Sequence, residues 1–234
     1  MRTIFKREFL GYYRTPVGYV FMGVFLALAG LIFYLSNLKS LSGDLLSFLG
    51  QLTLLNMLLC PLLTMRLICE ERQKRTDQLL LTAPVKLWKI IYGKFFAALT
   101  LFMLPFAMTF IYVFILMLST SVNWLAFLAD LLGIALLGSS ILAIGLFISA
   151  LTESQIIAGI FGIVVSFFIM QIDYFSQSVD ATWFTNATTY ISFVTRYNAF
   201  TSGKIDFSNI VFFASVTVLF LYLATAVLDK KRWA

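Results

Sequence analysis

Glu70-Glu71-Arg72-Gln73-Lys74-Arg75-Thr76-Asp77-Gln78-Leu79-Leu80-Leu81-Thr82-Ala83-Pro84-Val85 is the most strongly charged stretch of a 234-residue chain that otherwise favours hydrocarbon. Charged or amide side chains and one threonine fill its first nine positions; a short apolar run follows, and Pro84 stops it. Thr76 is a fair N-cap, and Asp77 in the first turn suits the positive end of a helix dipole. Pro84 disfavours helical geometry at Ala83, so the spacing predicts a helix of about two turns. A helix that short is marginal alone and needs a surface to lie on. The stretch reads as a docking element at the cytoplasmic membrane face, offered to a soluble partner.

Outward from it, 61% of the residues are hydrophobic and 12% charged. A soluble domain averages about 25% charged residues, so the chain reads as a polytopic membrane protein. The net charge of +6 could suggest nucleic acid, but basic residues of membrane proteins gather in cytoplasmic loops beside lipid headgroups. There is no histidine, which removes most zinc sites and most general-base chemistry. Cys60 and Cys69 lie too far apart along one helix to form a disulfide.

Residues 2–14 form an amphipathic interfacial helix, with Ile4, Phe5, Phe9, Tyr12 and Tyr13 on one face and Arg2, Lys6, Arg7 and Arg14 on the other. Pro16 closes this segment (1–16). The expected spans are 17–38, 45–69, 95–118, 125–151, 156–172 and 210–228; the first, at 1.5 Å per residue, rises about 33 Å. Between the second and third lies the charged loop 70–94, where Lys86, Lys89 and Lys94 continue at helical spacing into an interfacial helix. Pro105 is expected to kink the third span. The interval 173–209 is rich in aromatic residues, which predicts short helices packed at the outer interface. The fold class is therefore all-α membrane, a single domain over 1–234.

Placing 1–16, 70–94 and 229–234 in the cytoplasm puts 13 of the 17 basic residues there, so both termini are expected inside. Arg66 is expected to snorkel to the interface. Asp130 within a span is a functional candidate by default, but at about six residues beyond the interfacial anchor Trp124 it reads more readily as a wet interfacial carboxylate. Gln51 and Asn56 read as a substrate path or as glue between helices. The small residues Gly133, Gly138, Ser139, Ser140, Gly145 and Ser149 read as a packing face. Glu153 lies in a short inner turn, and Asn186-Ala187-Thr188 matches a glycosylation sequon.

The run Glu70-Glu71-Arg72…Thr76…Leu79-Leu80-Leu81-Thr82-Ala83-Pro84-Val85, then Trp88…Gly93-Lys94-Phe95, resembles the signature of ABC-2 type transporter permeases, where it forms the coupling helix. It departs at Arg75, where glycine is usual, and at Gln78, where glutamate is usual. Arg196-Tyr197…Phe200…Gly203-Lys204-Ile205-Asp206 with Lys230-Lys231-Arg232-Trp233 is similar to the end of permeases from gliding-motility and nitrous-oxide-reductase maturation systems. The resemblance implies the transmembrane subunit of an exporter, paired with a second permease copy or a paralogue. Two separate ATPase subunits would bind ATP and Mg, docked through Glu70, Glu71, Arg72, Thr76, Asp77, Gln78, Leu79, Leu80, Leu81 and Pro84. No cofactor or catalytic residue is expected in this chain: Gly93-Lys94 is followed by Phe95 and lacks the upstream glycine of a phosphate loop. The alternatives are an ion-coupled secondary carrier and an intramembrane enzyme. The first needs ionisable groups at mid-bilayer, and the second a nucleophile–base pair or metal cluster.

Overall fold

The computed structural model describes residues 2–39, 44–73, 86–117, 123–177, 188 and 190–232, with backbone only at 173–177 and 231–232. The described residues are almost wholly helical, with no strand among them. In chain order the helices are α1 (Arg2–Arg14), α2 (Pro16–Phe33), α3 (Leu45–Thr64), α4 (Cys69–Gln73), α5 (Leu87–Met108), α6 (Phe110–Met117), α7 (Trp124–Leu151), α8 (Gln155–Gln177), α9 (Phe193–Thr201) and α10 (Phe207–Arg232). A π-helical turn, Tyr34–Leu38, extends α2. Six stretches are long and apolar enough to cross a bilayer: Pro16–Leu38, Leu45–Gln73, Leu87–Met117, Trp124–Leu151, Gln155–Ile172 and Phe207–Lys230. The protein is a multi-pass, all-α membrane protein.

α7 is the axis of the bundle, packed by α3, α5, α8, α9 and α10. It is apolar on every side, as a helix surrounded by other helices must be. Its glycines set how closely the neighbours approach. A Cβ at Gly133 would stand 2.7 Å from the Cβ of Phe200 on α9; one at Gly138 would enter the Phe102 ring of α5; one at Gly145 would meet Thr64 of α3. Three elements thus use three notches on one helix, the close approach that small residues permit. α2, α8 and α10 form the periphery.

At the start of the chain, Phe5, Phe9 and Tyr13 stack along one edge of α1, with successive ring centroids 5.9 and 5.3 Å apart. The proline at 16 forces Thr15 into extended geometry and opens α2 at its first position, which makes the corner. Two spans are interrupted, the third close to the proline expected to kink it. The second is not one helix: α3 ends at Thr64, three residues past Pro61, and a turn separates it from α4. The third is interrupted at Thr109, one turn beyond Pro105, where the Thr109 hydroxyl donates to the Phe106 carbonyl at 2.7 Å. The expected outer helices are represented by α9, whose Phe193, Tyr197 and Phe200 are buried.

Candidate functional site

Two polar clusters lie at opposite ends of α7. Ser149 and Asp130, which anchor them, are separated by 19 residues of helix, about 28 Å.

The first cluster grows from the break between α3 and α4. A helix interruption strands backbone donors, and buried donors need partners. Ser149 supplies one: its Oγ accepts from the amides of Ile68 at 3.2 Å and Cys69 at 3.3 Å. The carbonyl of Leu67 is met by Lys94 of α5, whose Nζ donates to it at 2.6 Å. Lys94 is only 2% exposed. Its charge is balanced by Glu71 of α4 at 2.9 Å and Glu8 of α1 at 3.4 Å. Arg7 closes the ring, reaching Glu8 at 2.6 Å and Glu71 at 2.9 Å. Burial opposes the charge on Arg7, but the bonds and fields of Glu8 and Glu71 outweigh it and raise its pKa. Its side chain is half exposed, so water screens this part of the ring.

A second strut lies alongside. Arg66 pairs with Glu70 at 2.8 Å, sits over the Tyr12 ring at 5.2 Å and bonds Thr15 at the corner. Tyr12, buried, donates to the Leu63 carbonyl at 2.8 Å, and burial pushes its phenol pKa far upward. Arg72 is buried and donates to the Thr152 carbonyl at 3.3 Å. Glu70, Tyr12 and Thr15 thus surround the Arg66 head group, and two carboxylates and a carbonyl take the place of water around Lys94.

The second cluster joins three helices through one hydroxyl. Tyr197 of α9 donates to Asp130 Oδ1 of α7 at 2.8 Å and lies 2.9 Å from the Thr53 hydroxyl of α3. Asp130 is 0% exposed and its Oδ2 has no hydrogen-bond partner among the described residues. The expectation of a wet carboxylate is therefore corrected: α9 folds over this end of α7 and excludes water. One turn along α3 from Thr53, Asn56 is also fully buried, with neither side-chain polar atom bonded among the described residues. Gln51 is instead exposed, bonded to Ser36 and Ser47. The two candidate path residues do not share a surface.

A family profile described as ABC-2 type transporter matches residues 1–201, through the end of α9. The chain belongs to the ABC-2 type transporter family. A comparison with curated proteins found no match. As an ABC-2 membrane protein it is the permease component of an ABC transporter and not itself catalytic. Of the sequence-derived docking residues, Glu70, Glu71 and Arg72 are described, and all three are tied to the bundle. Thr76, Asp77, Gln78, Leu79, Leu80, Leu81 and Pro84 lie outside the described residues. Sequence reasoning missed Arg7, Glu8 and Ser149 as partners of the charged stretch. The available signal was Lys94, a lysine followed directly by an apolar run, which calls for a buried counter-charge.

Proposed function

We propose that this permease is half of an ATP-driven exporter in the cell membrane, with both termini in the cytoplasm. It works with a second copy or a paralogue and with two separate ATPase subunits that bind ATP and Mg. Within the family it takes the place of the permeases of gliding-motility and nitrous-oxide-reductase maturation systems, on the strength of its Arg196–Asp206 motif. Residues 76–84 dock on the ATPase. Glu70, Glu71 and Arg72 form the root of that segment and transmit its movement.

The observation that supports this reading is the ion-pair ring. Glu71 stands just before the docking segment and Lys94 just after it, and they meet at 2.9 Å. A push on the segment therefore reaches α4 and α5 together. Glu8 and Arg7 carry it to α1, and Ser149 and Thr152 carry it to α7. Closure of the ATPase pair on ATP would then rock the bundle rather than bend one loop.

The docking half is tested with Leu80→Asp/Leu81→Asp. Burying one leucine contributes about 1.5–3 kcal/mol, and a buried carboxylate adds desolvation. Association with the ATPase is expected to weaken at least about tenfold while membrane insertion persists. A double variant that still co-purified with its ATPase and transported normally would refute the docking assignment.

A further inference from the structure

Outside both clusters, a groove runs along the seam between the start of α5 and the end of α10. A cavity of about 500 Å³ holds Lys86, Trp88, Tyr222, Thr225 and Asp229. A second, of about 450 Å³, shares Trp88, Tyr222 and Thr225 and adds Tyr92 and Val218. The four α10 residues Val218, Tyr222, Thr225 and Asp229 are spaced to share one face of the helix. From Asp229 to Val218 the groove extends about 16 Å along that face, close to half of a hydrocarbon core about 30 Å thick. Its ends differ in chemistry: charged at Lys86 and Asp229, apolar and aromatic at Tyr92 and Val218. Trp88, Val218 and Tyr222 are exposed, at 46%, 57% and 70%.

Lys86 and Asp229 line the same cavity, yet among the described residues no ion pair joins them. Neighbouring Lys89 is turned onto the Trp88 ring, 5.7 Å from its centroid. An ammonium and a carboxylate held apart in one cavity complement a ligand that carries both signs. A purely anionic headgroup would gain Lys86 and be repelled by Asp229. We propose that the seam binds one zwitterionic membrane phospholipid of the phosphatidylethanolamine type. Its phosphate faces Lys86, its ammonium faces Asp229, and an acyl chain lies along Trp88, Tyr222 and Val218. This gives the leaflet at the α5 entrance a direct contact with the helix that leaves the ion-pair ring, whatever the transported substrate is.

The test is native mass spectrometry of the full chain released from bilayers of equal phosphatidylethanolamine and phosphatidylglycerol. Exposed charge contacts contribute up to about 1 kcal/mol each, so retained phosphatidylethanolamine should exceed phosphatidylglycerol about three- to fivefold. Asp229→Asn should abolish or invert that preference without reducing total retained lipid, and Lys86→Ala should reduce retention of both. Preference for phosphatidylglycerol in the unaltered chain, or an unchanged ratio in Asp229→Asn, would overturn the proposal. So would efficient cross-linking of Tyr222→Cys between two chains, which would assign the groove to a second copy.

Discussion

The two ends of α7 bury charge in opposite ways. At the Ser149 end, Lys94 is surrounded by Glu71, Glu8 and a backbone carbonyl, and Arg7 balances the second carboxylate. At the Asp130 end, one carboxylate has, among the described residues, a single phenol donor and an unbonded oxygen. A buried charge costs several kcal/mol unless opposite charge and hydrogen bonds surround it. Around Lys94 the first end is therefore compensated by opposite charge and is expected to be stiff. The second is held by two contacts, Tyr197 with Asp130 and Tyr197 with Thr53, and is expected to yield more easily.

The largest effect expected from this contrast is at Lys94. Lys94→Met removes the buried ammonium between Glu71 and Glu8, a loss of about 3–5 kcal/mol by analogy with broken buried pairs. Heating in detergent should show it as early aggregation, partly rescued when Glu71→Gln is added. Next comes Gly145→Val, which drives a side chain into Thr64 and should cost about 1–3 kcal/mol by overpacking. The smallest effect is at the soft end. Asp130→Asn keeps an acceptor for Tyr197 and removes a poorly compensated charge, so its thermal stability should stay within about 1 kcal/mol of the parent. A loss at Asp130→Asn as large as that at Lys94→Met would erase the distinction between the ends.

Much of this architecture was legible in the residues. Span length and apolarity identified six crossings, and the glycines and serines of 133–149 marked a packing face, now seen as three notches for Phe200, Phe102 and Thr64. Which span is central was not legible, because every span is apolar and hydropathy does not separate a helix facing lipid from one facing protein. The break after Thr64 was hidden for a related reason: Pro61 interrupts a span whose apolar pattern continues to Cys69. Asp130 misled because depth from Trp124 was used as a measure of wetness, while burial depends on α9, which folds over it from a distant part of the chain. The ion-pair ring was half visible. Glu71 and Lys94 were noticed, but their pairing with each other and with Arg7 and Glu8 exists only after α1 packs beside α5.

The proposed coupling has the ring carry force between residues 76–84 and the bundle. It is tested most directly with Glu71→Gln/Lys94→Met, a pair change that removes the link without leaving a lone charge between those two positions. The measurement is hydrolysis by the co-purified ATPase, with and without the permease, in reconstituted membranes. The expected result is normal association with the ATPase, unchanged basal hydrolysis, and loss of most permease-dependent stimulation. Full stimulation and transport in a complex of normal composition would contradict the account.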